Sequence, residues 1–179
     1  MRYKRFQIVL IATFFVAALS CTSNSSANAE IAAQSNASAP VAEPTPATLT
    51  TADVAKLKWI IGSWKGTGDV EKPFYERYRF EGESTLAVDG FPDETLAKSD
   101  STTLFALKDG KMGNSGETRW AASEITADSI TFVPVAAARN TFKWQRVSDN
   151  EWKAILSWPA TADKPARQRV YKMERVDKK

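Results

Sequence analysis

From Phe74 onward the chain alternates apolar and polar side chains with a period of two. Phe74, Glu76, Tyr78 and Phe80 fall on one face, and Tyr75, Arg77 and Arg79 on the other. The rhythm returns in Ile130, Phe132 and Pro134, in Phe142 and Trp144, and in Trp152, Ala154, Leu156 and Trp158. Successive side chains of a strand point to opposite faces, so each run reads as a strand with one buried and one wet side. Turn-forming clusters separate the runs: Glu81-Gly82-Glu83, Lys108-Asp109-Gly110-Lys111, Ser148-Asp149-Asn150 and Asp163-Lys164-Pro165. Short gaps of this composition join antiparallel hairpins. The pattern predicts about nine strands, at 63–68, 73–81, 84–89, 101–108, 116–124, 128–135, 140–148, 151–159 and 166–176. One short helix precedes them: Thr50 or Thr51 can cap it, Asp53 sits in its first turn, Leu57, Ile60 and Ile61 form its apolar stripe, and Gly62 ends it. A meander with one buried face tends to close, because closure leaves no strand edge exposed. The expected fold is all-β, an antiparallel up-and-down β-barrel of about 8–10 strands after one short helix, with a two-sheet sandwich as the alternative.

The run Leu57-Lys58-Trp59-Ile60-Ile61-Gly62-Ser63-Trp64-Lys65-Gly66-Thr67-Gly68 resembles the opening of calycin barrels, the superfamily of lipocalins and fatty-acid-binding proteins. Gly62-Ser63-Trp64 stands as its G-x-W, and the longer L-x-W-x-x-G-x-W-x-G-x-G form is most similar to nitrobindin-like and bacterial lipocalin-like domains. The resemblance implies that Trp64 closes the barrel floor and that Arg175 lies over it as a cation–π latch. Arg169-Val170-Tyr171 is similar to the Arg-x-Tyr that grips a ligand carboxylate in fatty-acid-binding proteins. Period two puts Arg169, Tyr171 and Met173 on one face, with Tyr171 roughly 13 Å along the strand from Arg175. An Arg169 that snorkels at the rim above a Tyr171 in the core is an equal alternative. The chain departs from nitrobindin-like domains in lacking histidine, the residue through which they hold haem. Met173 and Tyr171 are possible iron ligands in principle but are better explained by packing. No cofactor is expected.

The absence of histidine also removes Ser-His-Asp and Cys-His nucleophiles, the usual neutral-pH general base and the commonest zinc ligand. No catalytic or metal-ligating set is therefore assigned. Glu76 shares its face with Phe74, Tyr78 and Phe80, so it points inward unless the register shifts. A buried carboxylate needs a partner, and Arg146, Arg169 or Arg119 could supply one. Glu76 is thus either a polar handle in a cavity or half of a structural ion pair. Trp144, Trp152 and Trp158 lie on inferred inner faces and suit either a ligand wall or a filled core. The stretch 91–99 is the longest gap between strands and could cover an open end.

All of this lies in residues 51–179, which read as one domain. Ahead of it, Arg2, Lys4 and Arg5 precede an apolar run from Phe6 to Leu19, and Ala18-Leu19-Ser20-Cys21 follows. A basic start, a short apolar run and small residues before a cysteine describe a lipoprotein signal peptide over 1–20 with Cys21 as the acylated residue. The run falls short of the ~20 residues that a spanning helix needs. A second candidate cut follows Ala27-Asn28-Ala29; both readings export the chain. Thr22, rather than Asp, after the cysteine points to the periplasmic face of the outer membrane. Residues 21–50 are rich in Ser, Ala, Asn, Thr and Pro and read as a flexible tether. Cys21 is the one cysteine of the chain, so no internal disulfide is expected. The pI of about 9.0 comes from the leader: without its three cations, 21 of the 24 remain against 21 acidic residues. A balanced surface gives no footprint for nucleic acid.

The expected function is an envelope lipoprotein whose barrel binds a small, largely apolar ligand, an acid among the candidates. Its residues would be Arg169, Tyr171, Glu76, Trp144, Trp152 and Trp158. The alternatives are a non-enzymatic scaffold with a filled barrel and, ranked last, an enzyme using carboxylate or tyrosine chemistry.

Overall fold

The structure, a computed structural model, describes residues 45–69 and 72–176. The expected signal peptide, Cys21 and the tether as far as residue 44 lie outside the described residues. Thr50 starts the first element. Its hydroxyl accepts from the backbone N–H of Asp53, and the Asp53 carboxylate accepts from Thr50 N at 2.9 Å, a reciprocal cap for helix α1 (Thr51–Ala55). A 3₁₀ turn over Lys56–Ile60 continues it. Val54, Leu57 and Ile60 are fully buried. Ile61 is already extended and only half-buried, so the apolar stripe ends one residue sooner than its spacing implies. Gly62, at φ +130°, lets the chain turn directly into the first strand.

Ten strands follow: β1 (Gly62–Thr67), β2 (Phe74–Glu81), β3 (Thr85–Phe91), β4 (Ser101–Lys108), β5 (Lys111–Asn114), β6 (Arg119–Ile125), β7 (Ser129–Ala136), β8 (Thr141–Ser148), β9 (Glu151–Trp158) and β10 (Arg167–Arg175). Each pairs antiparallel with its sequence neighbour, and β1 pairs with β10 to close the barrel. The closing register sets Trp64 opposite Arg175 and Gly66 opposite Met173. The closed all-β barrel after a short helix is the architecture that the alternation implies, and no two-sheet sandwich forms.

The strand not foreseen is β5. It has four residues and meets β6 through a single pair, Gly113 with Ala121. A Cβ at Gly113 would stand 2.4 Å from the carbonyl oxygen of Trp120, so glycine is required for the approach. Beside this thin junction runs the segment just before α1. Ala47 N donates to Ala122 O at 2.9 Å, Leu49 N donates to Gly110 O at 2.7 Å, and Leu49 is buried. The barrel's packing therefore starts by Ala47, earlier than a boundary at 51.

Up-and-down topology gives the barrel two ends. The α1 end gathers the β2–β3, β4–β5, β6–β7 and β8–β9 turns and is called the floor; the opposite end is the mouth. Leu57, Ile60, Trp64, Trp152 and Met173 fill the floor at 0 % exposure. Trp152 meets Trp59, Trp64, Tyr78 and Trp144 edge-on, with centroids 5.5–6.3 Å apart. Above it, Phe105, Phe132, Phe142 and Trp144 form a second aromatic layer, with Phe132 and Phe142 stacked at 4.4 Å.

Candidate ligand-binding site

On five strands the inward side chains become more exposed toward the mouth. On β10, Met173 is buried, whereas Tyr171 and Arg169 are partly exposed. On β9, Trp152 is buried and Ala154, Leu156 and Trp158 are partly exposed. The same change runs from Trp144 to Phe142 on β8, from Phe105 to Thr103 on β4, and from Tyr78 to Glu76 and Phe74 on β2. These residues lie on the concave face, so solvent reaches the mouth end of the interior, called the upper chamber, while the floor is packed.

Two polar groups occupy that chamber. At the mouth, Arg169 Nη1 donates to the Tyr171 hydroxyl at 3.2 Å. The Tyr171 ring meets the edge of Phe74 at 5.4 Å. Phe74 in turn lies across β1 over Gly66, where a Cβ would fall 2.2 Å from its Cζ. Deeper on β2, Glu76 Oε2 accepts from the Tyr78 hydroxyl at 2.6 Å. Burial pushes the Glu76 carboxyl above its ordinary 4.5, and the bond from Tyr78 pulls the other way. The Tyr78 phenol is driven well above its ordinary 10 by burial first and by the neighbouring carboxylate second.

The partner of Glu76 differs from the sequence expectation, which looked to Arg146, Arg169 or Arg119. Arg146 turns to Asp128 and Asp149 at the floor end of β8. Arg119 is exposed at the start of β6. The bond comes from a neutral donor two residues along the same strand face, which shares the inward side by pleat alone.

Of the other expected site residues, Trp144 forms the base of the chamber beside Tyr78, with centroids 5.4 Å apart. Trp152 lies beneath it, wholly enclosed in the floor. Trp158 stands at the rim with the Arg167 guanidinium 4.3 Å from its ring. It borders a surface hollow of about 420 Å³ also lined by Pro134, Arg139, Asn140, Thr141, Ser157 and Pro159. At the floor, Arg175 lies 4.1 Å over the Trp64 ring and donates to the carbonyls of Ile61, Asp149 and Trp59 at 2.9–3.2 Å. Trp64 itself donates to Ile60 O at 2.6 Å. Two chamber residues escaped the sequence reading, Phe74 as a wall and Thr103. Phe74 was legible as an inward position; Thr103 is polar on an inward position and so hid its face.

The β3–β4 connection, 92–100, lies at the mouth and is held by Asp93, which accepts from Thr95 N at 2.9 Å. Among the described residues, no three acidic, histidine or cysteine side chains are grouped to hold a metal.

No family model and no curated protein matches the chain. Solved structures similar to it include a variant of the fluorescent protein UnaG, at 12 % identity, covering 70 % of this chain and 99 % of that one, with a TM-score of 0.47. Another is EF1p2_mFAP2b bound to DFHBI, at 10 % identity, with the same coverage and a TM-score of 0.35. By its own geometry the chain is a closed barrel of ten antiparallel strands, with a helix at the floor and Arg175 over Trp64.

Proposed function

We propose that this protein is an envelope lipoprotein whose barrel binds a small, largely apolar ligand through its upper chamber, with Arg169 and Tyr171 taking an acidic group at the mouth. The observation that carries the reading is the placement of that hydrogen-bonded pair on the inner wall, at the level where inward side chains become accessible. An arginine fork beside a phenol suits a carboxylate, and the apolar wall of Phe74, Phe142, Ala154 and Leu156 suits the body of such a molecule. Lipid anchorage is supported by the leader and Cys21. Because two or more acyl chains bind a bilayer firmly, the barrel would work at a membrane surface.

The test is native mass spectrometry of the Cys21→Ser protein, with tryptophan emission followed against fatty acids, sterols and porphyrins. The expected result is a co-purified small mass, or saturable quenching that Arg169→Ala and Tyr171→Phe weaken for carboxylates. No bound mass and no response to any probe would overturn it.

A further inference from the structure

The residue the acid-binding reading leaves unused is Glu76. Inward positions on β2 run Phe74, Glu76, Tyr78 from mouth to floor. Phe74 touches Tyr171, and Tyr78 touches Trp144 and Trp152. Glu76 therefore lies one step below the mouth pair and directly above the aromatic base.

Its two oxygens differ. Oε2 is taken by the Tyr78 hydroxyl, while Oε1 has no hydrogen-bond partner among the described residues. Oε1 is not sealed in either; the enclosed and unbonded side-chain atoms among the described residues are Trp59 Nε1 and Trp152 Nε1. Neighbouring cations are engaged elsewhere: Arg77 with Ser63 and the Phe91 ring, Arg79 with Asp89 and Glu81, and Arg146 with Asp128 and Asp149. Oε1 is open to water until a guest covers it, and a guest that covers it without donating leaves an unbonded carboxyl oxygen at a cost.

We propose that Glu76 is the deep recognition group of the chamber and takes an amine or ammonium donor at the buried end of an amphiphilic ligand. The proposal rests on the chamber reading above and narrows its ligand class. A plain acyl chain passing this point would leave Oε1 dry and unbonded. A carboxylate at the same depth would bring no N–H or O–H donor to Oε1. An N–H donor meets the need, and its alkyl body extends toward Phe74 and Leu156.

Decylamine and decanoate, equal in chain length and opposite in head group, are the probes. Each is titrated into the Cys21→Ser protein while tryptophan emission and the Glu76 carboxyl carbon resonance are followed. The expected result is that decylamine binds about ten-fold or more tighter than decanoate and lowers the pH midpoint at which that resonance titrates, and decanoate does not lower it. Glu76→Gln, which keeps the volume and the Tyr78 bond, should cut decylamine affinity by about ten-fold or more and spare decanoate. Suppose decanoate binds and responds to Arg169→Ala, while decylamine leaves the titration midpoint of that resonance unmoved and loses no more than about two-fold in Glu76→Gln. The donor selection then falls and the chamber reading stands. If neither probe binds, both fall. Should Glu76→Gln fail to fold, the resonance in the parent protein decides.

Discussion

Gly66 lacks a side chain because the Phe74 ring occupies the place of its Cβ. Gly66→Ala must displace that ring and with it the edge contact to Tyr171. The expected cost is about 1–3 kcal/mol in urea unfolding, with weakened carboxylate binding measured on the same sample. Arg175 is the counterpart at the floor. Arg175→Ala strips the Trp64 ring and three carbonyls of their guanidinium, and equilibrium unfolding should register a loss of about 2–4 kcal/mol. Glu76 carries a pH signature. Its carboxyl holds a proton more tightly when folded than the ordinary 4.5 of an unfolded chain, because burial disfavours the charge. Its contribution to stability is therefore full below that pH and declines as pH climbs toward the raised folded value. Asp89 runs the opposite way: bonded by Arg79, its carboxyl is held below 3.8, so its contribution is lost as pH falls. Unfolding curves on the alkaline side of 4.5 should flatten in Glu76→Gln and keep their acid-side fall. The inward place of Glu76 was legible from its neighbours Phe74 and Tyr78. Its partner was not, because charge suggests arginine, whereas the pleat had already set a phenol beside it.

Among the elements, legibility followed length and regularity. β2, β8, β9 and β10 show eight or nine residues of alternation each and stand close to where the pattern puts them. β5 offers four residues, one a glycine demanded by a neighbour's carbonyl, so its strand character exists only through tertiary pairing. β6 starts three residues later than its pattern suggests and carries register shifts at Arg119/Trp120 and Ala122/Glu124, which re-aim its side chains. The Asn114 side chain stands in for missing ladder bonds there: Oδ1 accepts from Trp120 N at 2.8 Å and Nδ2 donates to Thr118 O at 3.0 Å. The segment through Ala47 and Leu49 braces the same seam. Leu49→Ala should cost about 2–4 kcal/mol, and hydrogen exchange should quicken first in β5 and β6.

For the whole molecule, the exposure gradient inside the barrel is the property that the alternation could not supply. Period two sorts side chains into inner and outer, but it carries no depth, so Trp152 and Trp158 looked equivalent although one is sealed in the floor and the other stands at the rim. Depth comes from the tilt and stagger of paired strands, and these appear only once the register closes. The envelope address is a prediction at this scale as well. Cys21→Ser should move the protein from the membrane pellet to the soluble fraction without changing its circular dichroism.

One strand reaches from end to end of the cylinder. β10 carries Arg175 at the base, Met173 in the packed layer and Tyr171 with Arg169 at the opening, and it supplies the partner that β1 needs. None of these duties can be met while the polypeptide is still being synthesised ahead of that strand. Until β10 has left the ribosome the sheet stays unsealed, with neither latch nor grip.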